Sequence, residues 1–190
     1  MLKYSTQVVL CLFIVLSACE PNVNESLEPV PTTPTDIPSG NGSNPPDASI
    51  ETDSTIILAL AKVNALRQKG CDCGNQPMPA TSSVTWNTNL YAAALAHAKD
   101  MHLNSYFSHT SPSGENIYHR LIKAGYISTA SAVLTYGENI AFGKFDLETA
   151  IQKWLESPSH CANIMRDSYK EMAIAHDGNY WVQVFGAQRE

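Results

Sequence analysis

Residues 20–54 decide how this chain can fold. They hold seven of the eleven prolines and seven acidic groups (Glu20, Glu25, Glu28, Asp36, Asp47, Glu51 and Asp53), with no aromatic residue, Lys or Arg. Such a stretch cannot bury enough apolar surface to offset the entropy of ordering it. It reads as a disordered spacer over 19–54, extended by its prolines at about 3.1 Å per residue and so able to reach up to ~100 Å. A packed core must therefore come from residues 55–190, one domain of ordinary size. Apolar residues make up 44% of the 190-residue chain and charged ones 16%, which is enough for that core. The net charge of −6 sits almost wholly in the spacer: only Lys3 of the twelve basic residues precedes residue 56, and the domain carries as many acids as bases. With no basic surplus to neutralise phosphates, nucleic acid is excluded as a partner.

Ahead of the spacer, Lys3 is followed by an apolar run from Val8 to Leu16. Nine residues cannot span a hydrocarbon core of about 30 Å as a helix, but they suit the apolar region of a signal peptide. Leu16-Ser17-Ala18-Cys19 then resembles a bacterial lipobox, which implies a signal peptide over 1–18 and acylation of Cys19. More than one acyl chain is the condition for stable attachment to a membrane. The expected location is the bacterial cell envelope, lipid-anchored. Glu20 is not the aspartate associated with inner-membrane retention, which favours the outer membrane.

Within the domain, Ile56, Leu60, Val63 and Leu66 recur at helical spacing. They predict a helix over 55–68, capped by Asp53 or Ser54 and stopped by Gly70. A loop with Gly74, Pro77 and Pro79 leads to an extended Val84–Asn87. Leu90, Ala94, His97, Ala98 and Met101 share one face of a second helix, which makes His97 a core histidine. Short and long helices follow over 120–124 and 147–155. Asp177-Gly178 between the apolar runs 171–176 and 180–185 is a strong hairpin signal. Helices first and a hairpin last predict an α+β fold with helices packed on a sheet.

No HExxH, GxSxG, GxxxxGK[ST] or paired CxxC sequence is present, which removes the common metalloprotease, hydrolase and nucleotidase patterns. The polar residues left for chemistry fall in three segments read as loops: Phe107-Ser108-His109-Thr110, Gly137-Glu138-Asn139-Ile140 and Ser157-Pro158-Ser159-His160. Arg120 reads as an exposed residue whose pairing would contribute little. Of the cysteines beyond Cys19, Cys71 and Cys73 are too close to join each other comfortably. An exported chain would pair one of them with Cys161. A rival reading makes Cys161 a thiol nucleophile beside His160, although adjacent residues rarely point at one another.

Nine segments in order carry a resemblance: Val63–Arg67, Val84–Asn87, His97–Met101, Phe107–Thr110, Ala124–Tyr126, Gly137–Ala141, Trp154, His160–Met165 and Tyr180–Gly186. Together they resemble the CAP superfamily (cysteine-rich secretory proteins, antigen 5 and pathogenesis-related proteins; the SCP domain) in its bacterial branch. That resemblance implies an α-β-α sandwich with a central antiparallel sheet, and a cleft lined by two histidines and two acidic residues. His109, Glu138 and His160 match three of the four. The fourth falls on Ser157, three residues after Trp154. Glu156 lies next to it, turned by about 100°. It also favours Cys73 as the partner of Cys161.

Two imidazoles and one carboxylate could supply three ligands to Zn²⁺ and leave a place for water, with His109 and His160 the expected ligands. The same three groups could equally hold loops together by hydrogen bonds. Three functions are open, one of them a domain that simply scaffolds envelope partners. Another is a non-enzymatic cleft that receives a lipid, peptide or cell-wall ligand. The third is a metal-assisted hydrolase of peptide or cell-wall amides.

Overall fold

The computed structural model describes residues 48–128 and 133–188, with side chains at 54–128 and 135–188. The expected signal peptide, Cys19 and the spacer up to residue 47 lie outside the described residues. Helix α1 (Ala48–Lys69) takes in residues 48–54, which the composition assigns to the spacer, so Asp53 and Ser54 lie inside it rather than at its start. Apolar spacing reports only the turns that pack: Ile57 and Leu58 are largely exposed, and burial begins at Ala59 and repeats at Val63 and Arg67. Gly70, at φ 77°, ends the helix in a left-handed conformation, and a Cβ there would meet the Met78 carbonyl oxygen at 2.8 Å. The loop expected next is partly a small hairpin, β1 (Cys71–Cys73) with β2 (Gln76–Met78).

Strand β3 (Thr85–Trp86) leads into α2 (Thr88–Leu103), capped by the Asn87 side chain, which accepts from the amides of Asn89 and Leu90. Helix α3 (Ile117–Lys123) carries a reciprocal cap between Asn116 and His119. Strand β4 (Val133–Phe142) comes next, then α4 (Leu147–Glu156) and α5 (Pro158–Ile164). The chain closes on the expected hairpin of β5 (Glu171–Asp177) and β6 (Tyr180–Gln188), turning through Gly178 at φ 54°.

Four strands form one sheet in the order β3-β5-β6-β4. It is antiparallel through β5, β6 and β4, while β3 adds to β5 in parallel over two residue pairs. Alternation along the strands sends side chains to two separate cores. Met172, Ile174, Trp181 and Phe185 meet α1, α4 and α5 on one face, around Trp154 and Ile164. Ala173, Ala175, Val182 and Val184 meet α2 and α3 on the other, around Leu90, Met101 and Leu121. This is a three-layer α-β-α sandwich of the α+β class. Arg67 fastens one layer: its wholly buried guanidinium donates to the carbonyls of Ser82, Ile164, Arg166 and Tyr169.

Candidate functional site

Two of the three segments read as loops belong to regular elements. Glu138 lies in the middle of β4, where it pairs with Val184 of β6. His160 lies in α5, a seven-residue helix begun by Pro158. His109 comes from the loop between α2 and α3. These are brought to one cleft of about 450 Å³, lined also by Tyr136, Asn139, Ser159, Asn163, Arg166 and Tyr169.

Glu138 is the anchor. Its side chain is 3% exposed, and both carboxylate oxygens are taken: His109 Nδ1 donates to Oε1 at 2.8 Å, and the Arg120 guanidinium donates to Oε2 at 2.8 Å. Arg120 is itself buried and also donates to the carbonyls of His109 and Glu115, at 3.0 and 3.1 Å. The expectation of an exposed Arg120 is thus corrected, because the short α3 turns it inward over β4. His97 lies beneath, wholly buried, with Nε2 3.8 Å from Glu138 Oε1. Burial pushes the Glu138 pKa up, but the His109 hydrogen bond and the Arg120 charge outweigh it, and the carboxyl sits below its ordinary value. Burial pushes the His97 pKa down, more than the nearby Glu138 raises it.

The opposite wall is fixed by amides. Asn163 Nδ2 donates to the Glu138 carbonyl at 3.2 Å and to Asn139 Oδ1 at 2.9 Å. Asn139 Nδ2 in turn reaches the His160 carbonyl at 3.2 Å and Gln183 Oε1 at 2.9 Å, and Tyr169 donates its hydroxyl to Asn163 Oδ1 at 2.8 Å. These bonds tie α5 to β4, so the His160 ring is held by its backbone. The His160 pKa is lowered, by burial first and then by His109.

Glu156 is not brought in. Its side chain is 51% exposed, pairs with Lys153 at 2.8 Å and does not line the cleft. Ser157, at the family position, caps the junction of α4 and α5. A zinc ion on Glu138 itself would compete with Arg120 and His109 for its oxygens, whereas one on His109 Nε2 and His160 would leave the bond from His109 Nδ1 to Glu138 in place. Among the described residues, the one trio of Cys, His, Asp or Glu side chains with ligand atoms all within 4.8 Å of one another is Cys71, Cys73 and Cys161. His109, Glu138 and His160 as arranged do not fit a three-ligand metal centre.

Cys161, on the buried side of α5, is joined to Cys73 in a disulfide with Cα atoms 5.4 Å apart. That bond leaves Cys161 no role as a thiol nucleophile. Sequence reasoning missed Arg166, Tyr136 and Tyr169 in the cleft. Asn163 stood inside a quoted segment without a role, whereas nothing in its sequence neighbourhood marks Arg166.

Comparison with known proteins agrees with this architecture. The chain is 30% identical over 104 residues to YlbC, a membrane protein of Bacillus subtilis (strain 168), covering 55% of this chain and 29% of YlbC. It therefore spans under a third of that relative. An extracellular SCP-domain protein from Bacillus anthracis (strain Ames) superposes with a TM-score of 0.61 at 24% identity, over 77% of this chain and 45% of the other. An outer surface protein from Borrelia burgdorferi gives 0.58 at 20% identity, over 73% and 96%. The model of the cysteine-rich secretory protein family, CAP, matches residues 60–185, and the chain belongs to that family.

Proposed function

We propose that this chain is a lipid-anchored protein of the bacterial envelope whose CAP domain binds a ligand in the His109–His160 cleft without turning it over. The observation that carries this reading is what remains facing the cleft once internal bonds are subtracted. Asn139, Asn163 and Tyr169 spend their polar groups on one another, and Glu138 is neutralised by Arg120. His109, His160 and the exposed Arg166 are left, with no uncompensated carboxylate, while the Ser159 hydroxyl lies 3.3 Å from that of Ser157. Such a wall favours a ligand bearing a carboxylate, as a peptide terminus or a cell-wall fragment does. His109 Nδ1 is committed to Glu138, so the ring is oriented and presents Nε2 outward. The zinc-assisted hydrolase reading lacks this support, because its carboxylate is already engaged.

Envelope location rests on the sequence around Cys19 and on the company the domain keeps, relatives described as membrane, extracellular and outer-surface proteins. No helix among the described residues is long and apolar enough to cross a membrane.

Calorimetry of the full chain in detergent against a muramidase digest of peptidoglycan tests the cleft. Saturable binding is expected, weakened at least tenfold when the digest's carboxylates are methyl-esterified or when His109 and His160 are both changed to Ala. Equal binding by that double variant, or chelator-sensitive cleavage of the digest, would sink the reading. For the anchor, Cys19→Ser should abolish incorporation of labelled palmitate and move the chain to the soluble fraction. Retained label would refute acylation at that residue.

A further inference from the structure

The sequence Cys71-Asp72-Cys73 forms strand β1. Because successive side chains on a strand point to opposite sides, Cys71 and Cys73 share one face while Asp72 points away to solvent. That face meets α5. Cys73 is joined to Cys161, and Cys71 Sγ lies 3.8 Å from Cys161 Sγ, so three sulfurs crowd one spot with Cys161 at their meeting point. The three differ in access: Cys73 and Cys161 are 2% and 1% exposed, while Cys71 is half-buried at the rim.

We propose that Cys71 is an internal exchange thiol, so that Cys161 is shared between two disulfides, Cys73–Cys161 and Cys71–Cys161. In the exchange, Cys71 gives its proton to solvent and its thiolate attacks Cys161 Sγ. The Cys73–Cys161 bond breaks, and the departing Cys73 thiolate takes a proton from solvent. One S–S bond forms as one is lost, so no oxidant or reductant is consumed. The three sulfurs form a compact triangle, and attack needs the Cys71 side chain to rotate until its sulfur stands in line with the bond it breaks. Both forms keep α5 covalently held to β1. They differ in where the reactive groups sit: exchange carries the disulfide outward to the half-buried rim and leaves the thiol in the core. The Cys71–Cys161 form is therefore the one that an external thiol can reach and reduce. Cys161 follows His160 directly, so the bond that changes partners is the one nearest the cleft helix.

The test uses the full chain in detergent, held anaerobically without added thiol at pH 8.5. It is then quenched in acid, alkylated, and cleaved on the N-terminal side of Asp72, which puts Cys71 and Cys73 on different peptides. Mass spectrometry should find the Cys71–Cys161 pair growing with time, and alkylated Cys73 growing in equal proportion. In Cys71→Ser, which keeps the Cys73–Cys161 bond, neither product should form. The proposal is overturned if wild-type Cys73 stays fully disulfide-bonded while Cys71 is fully alkylated. It is equally overturned if Cys73 becomes alkylated to the same extent in Cys71→Ser.

Discussion

Glu138 carries a charge where charge is costly, and three neighbours make that tolerable. Removing one partner of a buried ion pair leaves the other uncompensated, at a cost of about 3–5 kcal/mol. Arg120→Ala should lower unfolding stability by that much, read from the urea midpoint, whereas Lys153→Ala, which breaks an exposed pair, should move it by less than about 1 kcal/mol. The pH dependence follows with a definite sign. The folded Glu138 pKa is below its unfolded value near 4.5, so its contribution is complete above that pH and is lost as pH falls through the lowered folded value. His97 and His160 are lowered from 6.5, so the unfolded chain takes up their protons first, and stability falls as pH drops below about 6.5. Denaturation midpoints should decline in two stages on acidification, and Glu138→Gln should flatten only the lower one. His97 was readable as a core histidine because helical spacing alone placed it on the apolar face of α2. Its closeness to Glu138 was not readable, since that carboxylate arrives from a strand 41 positions later in the chain.

The elements that escaped the sequence are those whose reason to exist lies in tertiary contacts. Gly137-Glu138-Asn139 interrupts any apolar alternation, so β4 gives no strand signal, yet nine of its residues pair with β6. Its polar side chains are admitted because each finds a partner, Glu138 on one face and Asn139 on the other. Helix α5 is too short to show a period, and α1 overruns its packed turns. By contrast, α2, α4 and the closing hairpin carry clean spacing or turn chemistry, and all three stand where the sequence puts them. Gly137 joins the strand to the cleft: a Cβ there would lie 2.0 Å from the Tyr169 hydroxyl oxygen and 2.8 Å from Asn163 Oδ1. Gly137→Ala should destabilise the domain by about 1–3 kcal/mol, since it overfills a packed site. It should also weaken cleft binding, because both displaced groups belong to the wall.

Across the whole molecule, the break in composition near residue 55 falls inside α1, which begins at Ala48, because a helix can run on past the turns that pack. The Cys73–Cys161 bond spans 88 residues of that domain. In the chain-entropy account, closing such a loop stabilises the fold by about 4–5 kcal/mol. Full reduction should lower the denaturant midpoint, with some rise in the slope as the uncrosslinked unfolded chain exposes more surface.

The two cores lie on opposite faces of the sheet, and Trp86 of β3 packs against both. Neighbouring residues of β4 look opposite ways there: Glu138 toward the α2 layer, Asn139 toward the layer of α5 and His160. A ligand touching both His109 and His160 therefore acts as a rivet through the sandwich. At a hundred times its Kd it would add about 2.7 kcal/mol to folding, and neither layer could open without losing it. Amide exchange should slow in α2 and in α5 together.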